Sequence, residues 1–257
     1  MAWVLDLDGV VWLDDQPIAG AAEAVARLRA AGQRVLFVTN NSSVSVGGQE
    51  AKLAGHGIPA VGDVVTSAAV AAGMVAPGER VFVCAGPGVE EAVVARGAIP
   101  VADGPADVVV VGFHRNFDFD ELDRASAAVR RGARLVGTND DATYPTPHGP
   151  VPGGGAILAA VATASGVRPV VAGKPYAPMV DHVKDLLGEH GVAVGDRPDT
   201  DGRFARSLGY EWVLVLSGVT RSGDLPVDPP PDRVAADLAE AVDAALGAGG
   251  SGTMESS

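Results

Sequence analysis

Two aspartates near the amino terminus are the first residues whose spacing could do chemistry. Asp6 and Asp8 follow the apolar run that begins at Trp3, and a single apolar residue separates them. Aspartate is a poor strand residue, so two carboxylates beside a buried run need an explanation. Either the strand ends in water, or the pair forms a metal-binding or nucleophilic site, because hard cations such as Mg²⁺ take oxygen ligands.

Two further segments carry groups that could bind an anion. The cluster Thr39-Asn40-Asn41-Ser42 follows a second apolar run and could aim hydroxyl, amide and backbone N–H groups at an anion. It could equally form an Asx-rich turn that caps the next helix. Lys174 stands in Ala172-Gly173-Lys174-Pro175, in a chain with three lysines and 16 arginines. Lysine in that setting hints at a need for a compact point charge, although an exposed lysine is the simpler alternative.

A fourth polar cluster follows the apolar run Val192 to Gly195. It contains Asp196, Asp199, Thr200 and Asp201 within six residues. These groups could complete a Mg²⁺ site, or they could cap the amino terminus of a helix. The two interpretations are compatible with each other.

The elements that must position these residues alternate between strands and helices. Short β-branched runs, each followed by Gly, Asn or Asp, precede Ala-rich amphipathic stretches, which predicts β-α alternation. Such a pattern predicts an α/β fold with a mainly parallel sheet covered on both faces, and ligands then bind at the carboxyl ends of the strands. The predicted strands are 3–7, 34–39, 64–66, 80–84, 108–111, 134–137, 192–195 and 212–216; the predicted helices are 21–31, 67–75, 120–131, 155–165, 177–189 and 200–208.

The order of these elements predicts one domain inserted into another. The alternation restarts at Arg80 and runs to Pro169 as an independent α/β unit. Residues 1–79 and 170–246 would then form the two parts of a core domain. The Gly-rich segment 247–257 is predicted to be a disordered tail.

Composition excludes several classes of protein. The chain has 257 residues, a formal net charge of −13 and one cysteine, so intramolecular disulfides and CxxC zinc sites are impossible. A reducing, cytoplasmic location follows as a prediction, because the chain also starts without a signal-peptide pattern. The acidic balance argues against nucleic acid or a membrane as partner, since both demand a basic surface.

Several other signals favour less specific explanations. Gly86-Pro87-Gly88 could suggest a dinucleotide loop, but Glu91 stands where the third glycine would fall. Gly153-Gly154-Gly155 could form an anion nest, and tight packing or a hinge is the alternative. The five histidines include no HxxxH or HExxH pair, which disfavours a zinc hydrolase.

Taken together and in order, the four polar segments resemble the motifs of the haloacid dehalogenase (HAD) superfamily of aspartate-nucleophile phosphatases. The first motif resembles Asp6 to Val10, the second Thr39-Asn40, the third Lys174, and the fourth Gly195-Asp196 with Asp201. The resemblance implies a Rossmann-like core with an inserted α/β cap domain.

The spacing of the motifs is similar to that of one subclass. Thirty-one residues separate Asp8 from Thr39, whereas 135 separate Thr39 from Lys174, so a cap fits only after the second motif. This pattern resembles class IIA, the NagD-like or p-nitrophenylphosphatase-like group with a C2-type cap. Two departures stand out: no Arg follows the Asn-Asn-Ser stretch, and Gly202 replaces an aliphatic residue, which could loosen the helix behind Asp201.

The resemblance implies a role for each motif residue. Asp6 would be the nucleophile and Asp8 the general acid and base. Asp6, the main-chain carbonyl of Asp8, and Asp196 would hold Mg²⁺, with Asp201 orienting these groups without touching the ion. The remaining phosphate oxygens would be bound by residues of the second and third motifs, namely Thr39, Asn40, Asn41 and Lys174.

The resemblance also predicts the class of substrate. It implies an enzyme that hydrolyses a small phosphorylated metabolite through an aspartyl-phosphate, with glycerol 3-phosphate or a similar short ester favoured. Pyridoxal phosphate, a sugar phosphate or a nucleotide are alternatives, as is a non-catalytic phosphate-binding or receiver-like module. In class IIA enzymes the cap selects the substrate, so we expect specificity to depend on Asn139 to Thr143 and on the loop Tyr144 to Pro150 around His148. A homodimer is also possible.

Overall fold

The structure, a computed structural model, describes residues 1–144, 149 and 151–248. Of the loop expected to affect specificity, only Tyr144 and Gly149 belong to these residues, and the others, His148 included, lie outside them. Of the tail predicted from Gly247, only Gly247 and Ala248 are described, and both belong to the last helix.

The described chain alternates between short strands and helices. The strands are β1 (Ala2–Leu5), β2 (Trp12–Leu13), β3 (Gln16–Pro17), β4 (Arg34–Thr39), β5 (Val64–Thr66), β6 (Arg80–Cys84), β7 (Ile99–Val101), β8 (Val108–Val111), β9 (Arg134–Gly137), β10 (Thr143–Tyr144), β11 (Val151–Pro152), β12 (Val170–Val171), β13 (Gly191–Gly195), β14 (Glu211–Val215) and β15 (Arg233–Ala235). The α-helices are α1 (Ala21–Ala30), α2 (Val46–Gly55), α3 (Ser67–Gly73), α4 (Pro87–Ala95), α5 (Phe119–Arg130), α6 (Gly154–Ser165), α7 (Ala177–Leu187), α8 (Arg203–Leu208) and α9 (Leu238–Ala248). A π-helical turn spans Pro198–Gly202 and a 3₁₀ turn spans Ser222–Asp224.

The chain divides into two compact units. The first unit contains residues 1–37, 52–63 and the described residues from Lys184 on, and the second contains 38–51 and 64–183. The division of the sequence into a core domain and a cap at 80–169 stays a prediction.

The first unit is built on parallel strands. They lie in the order β15-β14-β13-β1-β4, and every neighbouring pair runs parallel. Strand β1 is fully buried, as expected for a strand covered on both faces. Helix α1 buries Ala21, Ala24, Val25 and Leu28, the spacing of a single apolar helix face.

The second unit contains its own parallel sheet in the order β12-β9-β8-β6-β7. The four valines of β8 at its centre are all buried. Helix α5 begins at the Asp118 cap, whose Oδ1 accepts a hydrogen bond of 2.8 Å from the backbone N–H of Glu121. The prediction of an α/β fold with mainly parallel sheets is confirmed in both units.

Two predicted boundaries are wrong and one helix was not predicted, each for an identifiable reason. Strand β1 ends at Leu5 because the Leu7 carbonyl accepts the N–H groups of Val11 and Trp12, which starts a turn. The helix predicted from Thr200 begins instead as the π-helical turn, in which the N–H of Gly202 reaches the carbonyl of Arg197. Helix α4 starts at Pro87, a residue favoured at the first helical position, where only a loop was considered.

Candidate active site

Two strands of the first unit, β1 and β13, are each followed directly by an aspartate. Strands β1 and β13 are parallel neighbours, with Leu5 paired to Val194, so Asp6 and Asp196 both leave the carboxyl edge of the sheet. The N–H of Asp6 still donates to the carbonyl of Val194 at 3.0 Å, which fixes its backbone beside β13. The sheet therefore brings together two carboxylates that are 190 residues apart in sequence.

A third carboxylate joins these two. One oxygen each from Asp6, Asp196 and Asp201 lies within 4.8 Å of the others, and we call these three residues the acidic cluster. Asp196 and Asp201 are buried, at 2% and 4% exposure. Carboxylates held this close in a buried place repel one another unless a cation or a proton lies among them.

The backbone of the fourth motif fixes the orientation of Asp201. The π-helical turn directs its Oδ2 back to the N–H groups of Asp196 and Arg197, at 3.2 and 3.1 Å. Asp201 thus tethers the loop that carries Asp196, which suits a residue that orients metal ligands.

The loop after β14 fixes the orientation of Asp196. Its Oδ2 accepts a 2.5 Å hydrogen bond from the N–H of Val219, and its carbonyl accepts one of 2.6 Å from Thr220 Oγ1. Gly218 packs so tightly on this carboxylate that a Cβ would overlap Oδ2. The segment Leu216 to Thr220, which supplies these contacts, was not among the candidate residues predicted from the sequence. Its position after a strand of the same sheet was the signal.

Asp8 lies in the turn that follows β1. Its Oδ1 accepts a 3.1 Å hydrogen bond from Nε1 of Trp12, which is itself buried under the ammonium of Lys52, 4.4 Å from the ring centroid. Gly9 follows with a φ of +82°, and a Cβ there would overlap the Asp196 carboxylate. A glycine is therefore required at this position for both backbone and steric reasons.

In the second unit, Asn40 organises the segment that carries Lys174. Its Oδ1 accepts from the Lys174 N–H at 2.8 Å, and its Nδ2 donates to the Lys174 carbonyl and to Asp141 Oδ2, both at 3.1 Å. One buried side-chain amide thus pairs with both backbone groups of Lys174. The carbonyl of Asn40 accepts from Ser67 Oγ and from Asn139 Nδ2, each at 2.8 Å.

The other predicted phosphate-binding residues of the second unit lie close to Asn40 in the chain. Thr39 is buried, and its Oγ1 accepts a 3.0 Å hydrogen bond from the N–H of Asn41. The side-chain oxygen of Asn41 accepts from the N–H and Oγ of Ser43, at 3.1 and 2.7 Å. Asn41 therefore uses its amide oxygen to form an Asx turn, which was the alternative considered from sequence. Lys174 is 2% exposed.

Asn139 and Asp141 also have roles that the sequence did not reveal. They were expected to affect specificity, yet both hydrogen-bond Asn40, about 100 residues away. The Gly153–Gly155 stretch packs against them, since a Cβ on Gly154 would stand 3.0 Å from Asn139 Oδ1. Close packing accounts for these glycines without a bound anion, and Gly88 likewise packs on the backbone of Ser42 and Val44.

The acidic cluster fits a hard divalent cation. Its donors are carboxylate oxygens, which Mg²⁺ prefers, and two of the three residues are buried and held by backbone hydrogen bonds. Asp6 and Asp196 present oxygens at the same edge of the sheet, and Asp201 braces the loop that carries Asp196. A bound Mg²⁺ would supply Lewis-acid stabilisation of a phosphoryl oxygen at this place.

Comparisons with known proteins agree with this chemistry. The family model described as "Haloacid dehalogenase-like hydrolase" matches residues 3–99, and that described as "HAD-hyrolase-like" matches 171–241. A D-glycerol 3-phosphate phosphatase from Mycobacterium tuberculosis is 40% identical over 86% of this chain, which spans 64% of that relative. An acid sugar phosphatase from Staphylococcus saprophyticus is 34% identical over 94% of this chain and 96% of its own length.

Solved structures of phosphatases also resemble this chain. A p-nitrophenyl phosphatase from Archaeoglobus fulgidus superposes with a TM-score of 0.89 at 31% identity, over 95% of this chain and 98% of that one. A glycerol phosphate phosphatase from Mycobacterium tuberculosis in complex with magnesium gives 0.84 at 37% identity, over 92% of this chain and 74% of that one.

The part of the chain that the structure describes contains no helix both long and apolar enough to cross a membrane. The cytoplasmic location, the homodimer and the expected absence of nucleic-acid and membrane partners stay predictions. The resemblance seen in the four motifs is confirmed: this chain belongs to the haloacid dehalogenase-like hydrolases, in the NagD-like, p-nitrophenylphosphatase-like phosphatase group.

Proposed function

We propose that this phosphatase hydrolyses a small phosphate monoester through an aspartyl-phosphate on Asp6, with glycerol 3-phosphate or a comparably short ester as the favoured substrate. The observation that carries the proposal is the acidic cluster at the carboxyl edge of β1 and β13. Phosphoryl transfer depends mainly on positioning and on stabilisation of charge, and this cluster offers a fixed nucleophile beside oxygen ligands for a cation.

In the proposed reaction the two aspartates of the first motif act in sequence. An oxygen of Asp6 forms a bond to phosphorus while the bond from phosphorus to the leaving alcohol breaks. Asp8 gives its proton to that alcohol, and it later takes a proton from the water that hydrolyses the acyl phosphate. The indole N–H of Trp12 donates a hydrogen bond to Oδ1 of Asp8, which fixes the orientation of this side chain beside the reacting groups.

The proposed phosphate-binding groups are Thr39, Asn40, Asn41 and Lys174. The Lys174 ammonium would neutralise charge on the phosphoryl oxygens, and the Thr39 hydroxyl and the Asn40 backbone N–H would donate hydrogen bonds. The side chain of Asn40 already pairs with the Lys174 backbone. We therefore assign that side chain to positioning Lys174 rather than to contact with the substrate.

The proposed ligands of Mg²⁺ are Asp6, the main-chain carbonyl of Asp8, and Asp196. Asp201 would keep them oriented through its hydrogen bonds to the N–H groups of residues 196 and 197.

The choice of substrate draws on the names of the relatives. The relative with 40% identity is named for D-glycerol 3-phosphate, and the relative that this chain spans almost completely is named for acid sugars. Both names describe small phosphate monoesters, which favours this class over nucleotides. Because the chain spans only 64% of the first relative, glycerol 3-phosphate is a proposal for this protein and sugar phosphates are the second candidate.

The mechanism is tested by release of phosphate from p-nitrophenyl phosphate in saturating Mg²⁺. Asp6→Asn should lose essentially all turnover. Asp8→Asn should lose 10²- to 10⁴-fold, about 3–5 kcal/mol of barrier, and should accumulate acid-stable label from a ³²P-labelled substrate. Glu23→Gln, on an exposed position of α1, is the matched control and should behave as wild type. Wild-type activity in Asp6→Asn would exclude Asp6 as the nucleophile.

The substrate is tested by kcat/KM over a panel of phosphate esters. The panel contains glycerol 3-phosphate, short-chain esters, sugar phosphates, pyridoxal phosphate and nucleotides. We expect the short esters to give the highest values. A clear preference for sugar phosphates would select the second candidate, and binding of phosphate without turnover of any ester would indicate a non-catalytic phosphate-binding module.

A further inference from the structure

A second group of metal-ligating side chains lies in the second unit, among residues that have no part in the proposed reaction. Cys84 ends β6, His114 follows β8, and Glu121 lies in the first turn of α5. Strands β6 and β8 are parallel neighbours, with Cys84 paired to Val111. The topology thus brings three different ligand types to the carboxyl edge of this unit's own sheet, at a place where α/β folds commonly bind ligands.

The three side chains converge on one another. His114 Nε2 lies 4.0 Å from Cys84 Sγ and 3.5 Å from Glu121 Oε2, and one ligand atom from each residue lies within 4.8 Å of the other two. Tetrahedral zinc has Zn–S, Zn–N and Zn–O bonds of about 2.3, 2.0 and 2.1 Å, which implies ligand separations of roughly 3.3–3.7 Å. The three ligand atoms would reach these separations if the longer distances among them shortened by between a few tenths of an ångström and about 1 Å.

From this convergence we propose that Cys84, His114 and Glu121 form a zinc site, with a fourth coordination position accessible to solvent. The thiol is completely buried, whereas the side chains of His114 and Glu121 are 12% and 15% exposed. The ion therefore enters from the histidine and glutamate side, and water completes its tetrahedron there. Mixed sulfur, nitrogen and oxygen donors suit Zn²⁺, whereas the all-oxygen acidic cluster suits Mg²⁺.

Packing alone explains only part of this arrangement. Cys84 belongs to a hydrophobic cluster with Val109, Val111 and Ala125, and a buried cysteine often serves merely as a small apolar residue. Here, however, an imidazole and a carboxylate both turn toward the thiol from other elements. Glu121 would ordinarily serve the amino terminus of α5, where Asp118 already caps its N–H.

Binding requires the thiolate. Burial raises the pKa of the Cys84 thiol well above its ordinary value, and Glu121 raises it further, whereas the Arg124 charge acts in the opposite direction. In the proposed step the S–H bond breaks, the sulfur binds Zn²⁺ through its electron pair, and the proton passes to the solvent. No change in oxidation state takes place.

The experiment uses Co²⁺ as a spectroscopic substitute for Zn²⁺ on the full chain, with Mg²⁺ in large excess to occupy the acidic cluster. Because Cys84 is the sole cysteine of the chain, any thiolate-to-cobalt charge-transfer band must arise from it. We expect this band to appear with one Co²⁺ per chain and to vanish when one equivalent of Zn²⁺ is added. Absence of the band in the wild-type protein would overturn the proposal, and this arm needs no variant.

Variants supply the second arm, read out by equilibrium dialysis with Zn²⁺ in the same Mg²⁺ buffer. Cys84→Ser and His114→Gln should each weaken Zn²⁺ binding at least 100-fold, and Zn²⁺ should no longer raise their melting temperatures. The controls His182→Gln and Glu90→Gln, at exposed positions of α7 and α4, should bind as wild type. Unchanged zinc affinity in a folded Cys84→Ser protein would also overturn the proposal.

Discussion

Gly202 lies against the indole of Trp212, so that a Cβ at position 202 would stand 2.7 Å from Cη2 of the ring. Trp212 is fully buried in β14, and Gly202 ends the π-helical turn that carries Asp201. The indole therefore fills the space that an aliphatic side chain at 202 would occupy. From the sequence, Gly202 in place of an aliphatic residue was expected to loosen the helix behind Asp201. The structure shows that the large side chain of Trp212 on β14 takes up the space instead.

This contact predicts a coupling between the two positions. Gly202→Ala should lower the free energy of unfolding by about 1–3 kcal/mol, because a methyl group must displace the packed ring. In a Trp212→Leu background the same substitution should cost less, since the smaller side chain leaves room. Urea denaturation of the two single variants and the double variant measures the coupling. An equal loss in both backgrounds would contradict it.

Gly218→Ala should weaken Mg²⁺ binding. The new methyl group overlaps Oδ2 of Asp196 and must displace this carboxylate from its place in the acidic cluster. Groups that orient metal ligands typically account for 10- to 100-fold in affinity, and a loss of roughly that size is expected. Isothermal titration with Mg²⁺ gives the value. Gly223→Ala, where a Cβ meets open space, is the control and should leave the affinity unchanged.

Asn40→Asp should impair the proposed positioning of Lys174. The new carboxylate cannot donate to the Lys174 carbonyl, and it faces the carboxylate of Asp141. Losing such a buried hydrogen bond costs about 1–3 kcal/mol, so kcat/KM should fall roughly 5- to 100-fold.

A pH profile separates this effect from simple loss of structure. At acidic pH the protonated Asp side chain regains a donor, so part of the lost kcat/KM should return. Asn116→Asp, at an exposed position, provides the control and should show wild-type rates throughout. A variant that is equally slow at every pH would argue against positioning by Asn40.

Trp12→Phe should change the pH dependence of the reaction. The substitution keeps most of the buried ring but removes the N–H that donates to Asp8 at 3.1 Å. A hydrogen bond to the charged carboxylate favours that form, so its loss should move the limb of the pH–rate profile set by Asp8 toward higher pH. No movement in Trp12→Phe would exclude Asp8 as the titrating group.

Asp232 should contribute stability at neutral pH that is lost in acid. The N–H of Trp212, at 2.8 Å, is the main cause that lowers the pKa of Asp232, and Arg206 at 2.7 Å adds to it. Because the folded-state pKa is the lower one, this stability is present above the ordinary carboxyl pKa and disappears as pH falls through the lowered one.

Asp232→Asn tests this statement. Since the Asp232 side chain is 42% exposed, the loss at pH 7 should be only about 0.5–1 kcal/mol. The difference from wild type should shrink as the pH approaches 2, where both residues are neutral. Urea unfolding at pH 7 and at pH 2–3 measures it, and an equal difference at both pH values would refute the assignment.

Residues at the ends of long apolar runs were predictable from sequence. Asp6 and Asp196 each follow a run of mostly buried apolar residues, and parallel strands place such ends at one edge. The local pattern was sufficient to place these two residues, because buried strands appear in the sequence as apolar runs and parallel strands as runs that alternate with helices. Strands of two residues, such as β10 and β12, leave no such periodicity, and they were missed.

Contacts between distant segments were not predictable. Asn139 and Asp141 reach Asn40 from about 100 residues away, and no local propensity encodes that pairing. The convergence of Cys84, His114 and Glu121 was also hidden, since their spacing matches no familiar metal motif. The π-helical turn at 198–202 was also missed; within it Asp201 bonds back to the N–H groups of residues 196 and 197, a local arrangement that ordinary capping rules do not contain.

The amide of Asn40 joins two positions that are 134 residues apart, and this has a consequence for how the family can diversify. Its hydrogen bonds to the Lys174 backbone close a loop that consists of the chain segment between residues 40 and 174. The entropy of closing a loop rises only logarithmically with length, by about 0.6 kcal/mol per doubling. Evolution can therefore lengthen, shorten or exchange the enclosed segment at small thermodynamic cost while one asparagine keeps the ends in register, which allows new substrate preferences to arise without rebuilding the catalytic groups.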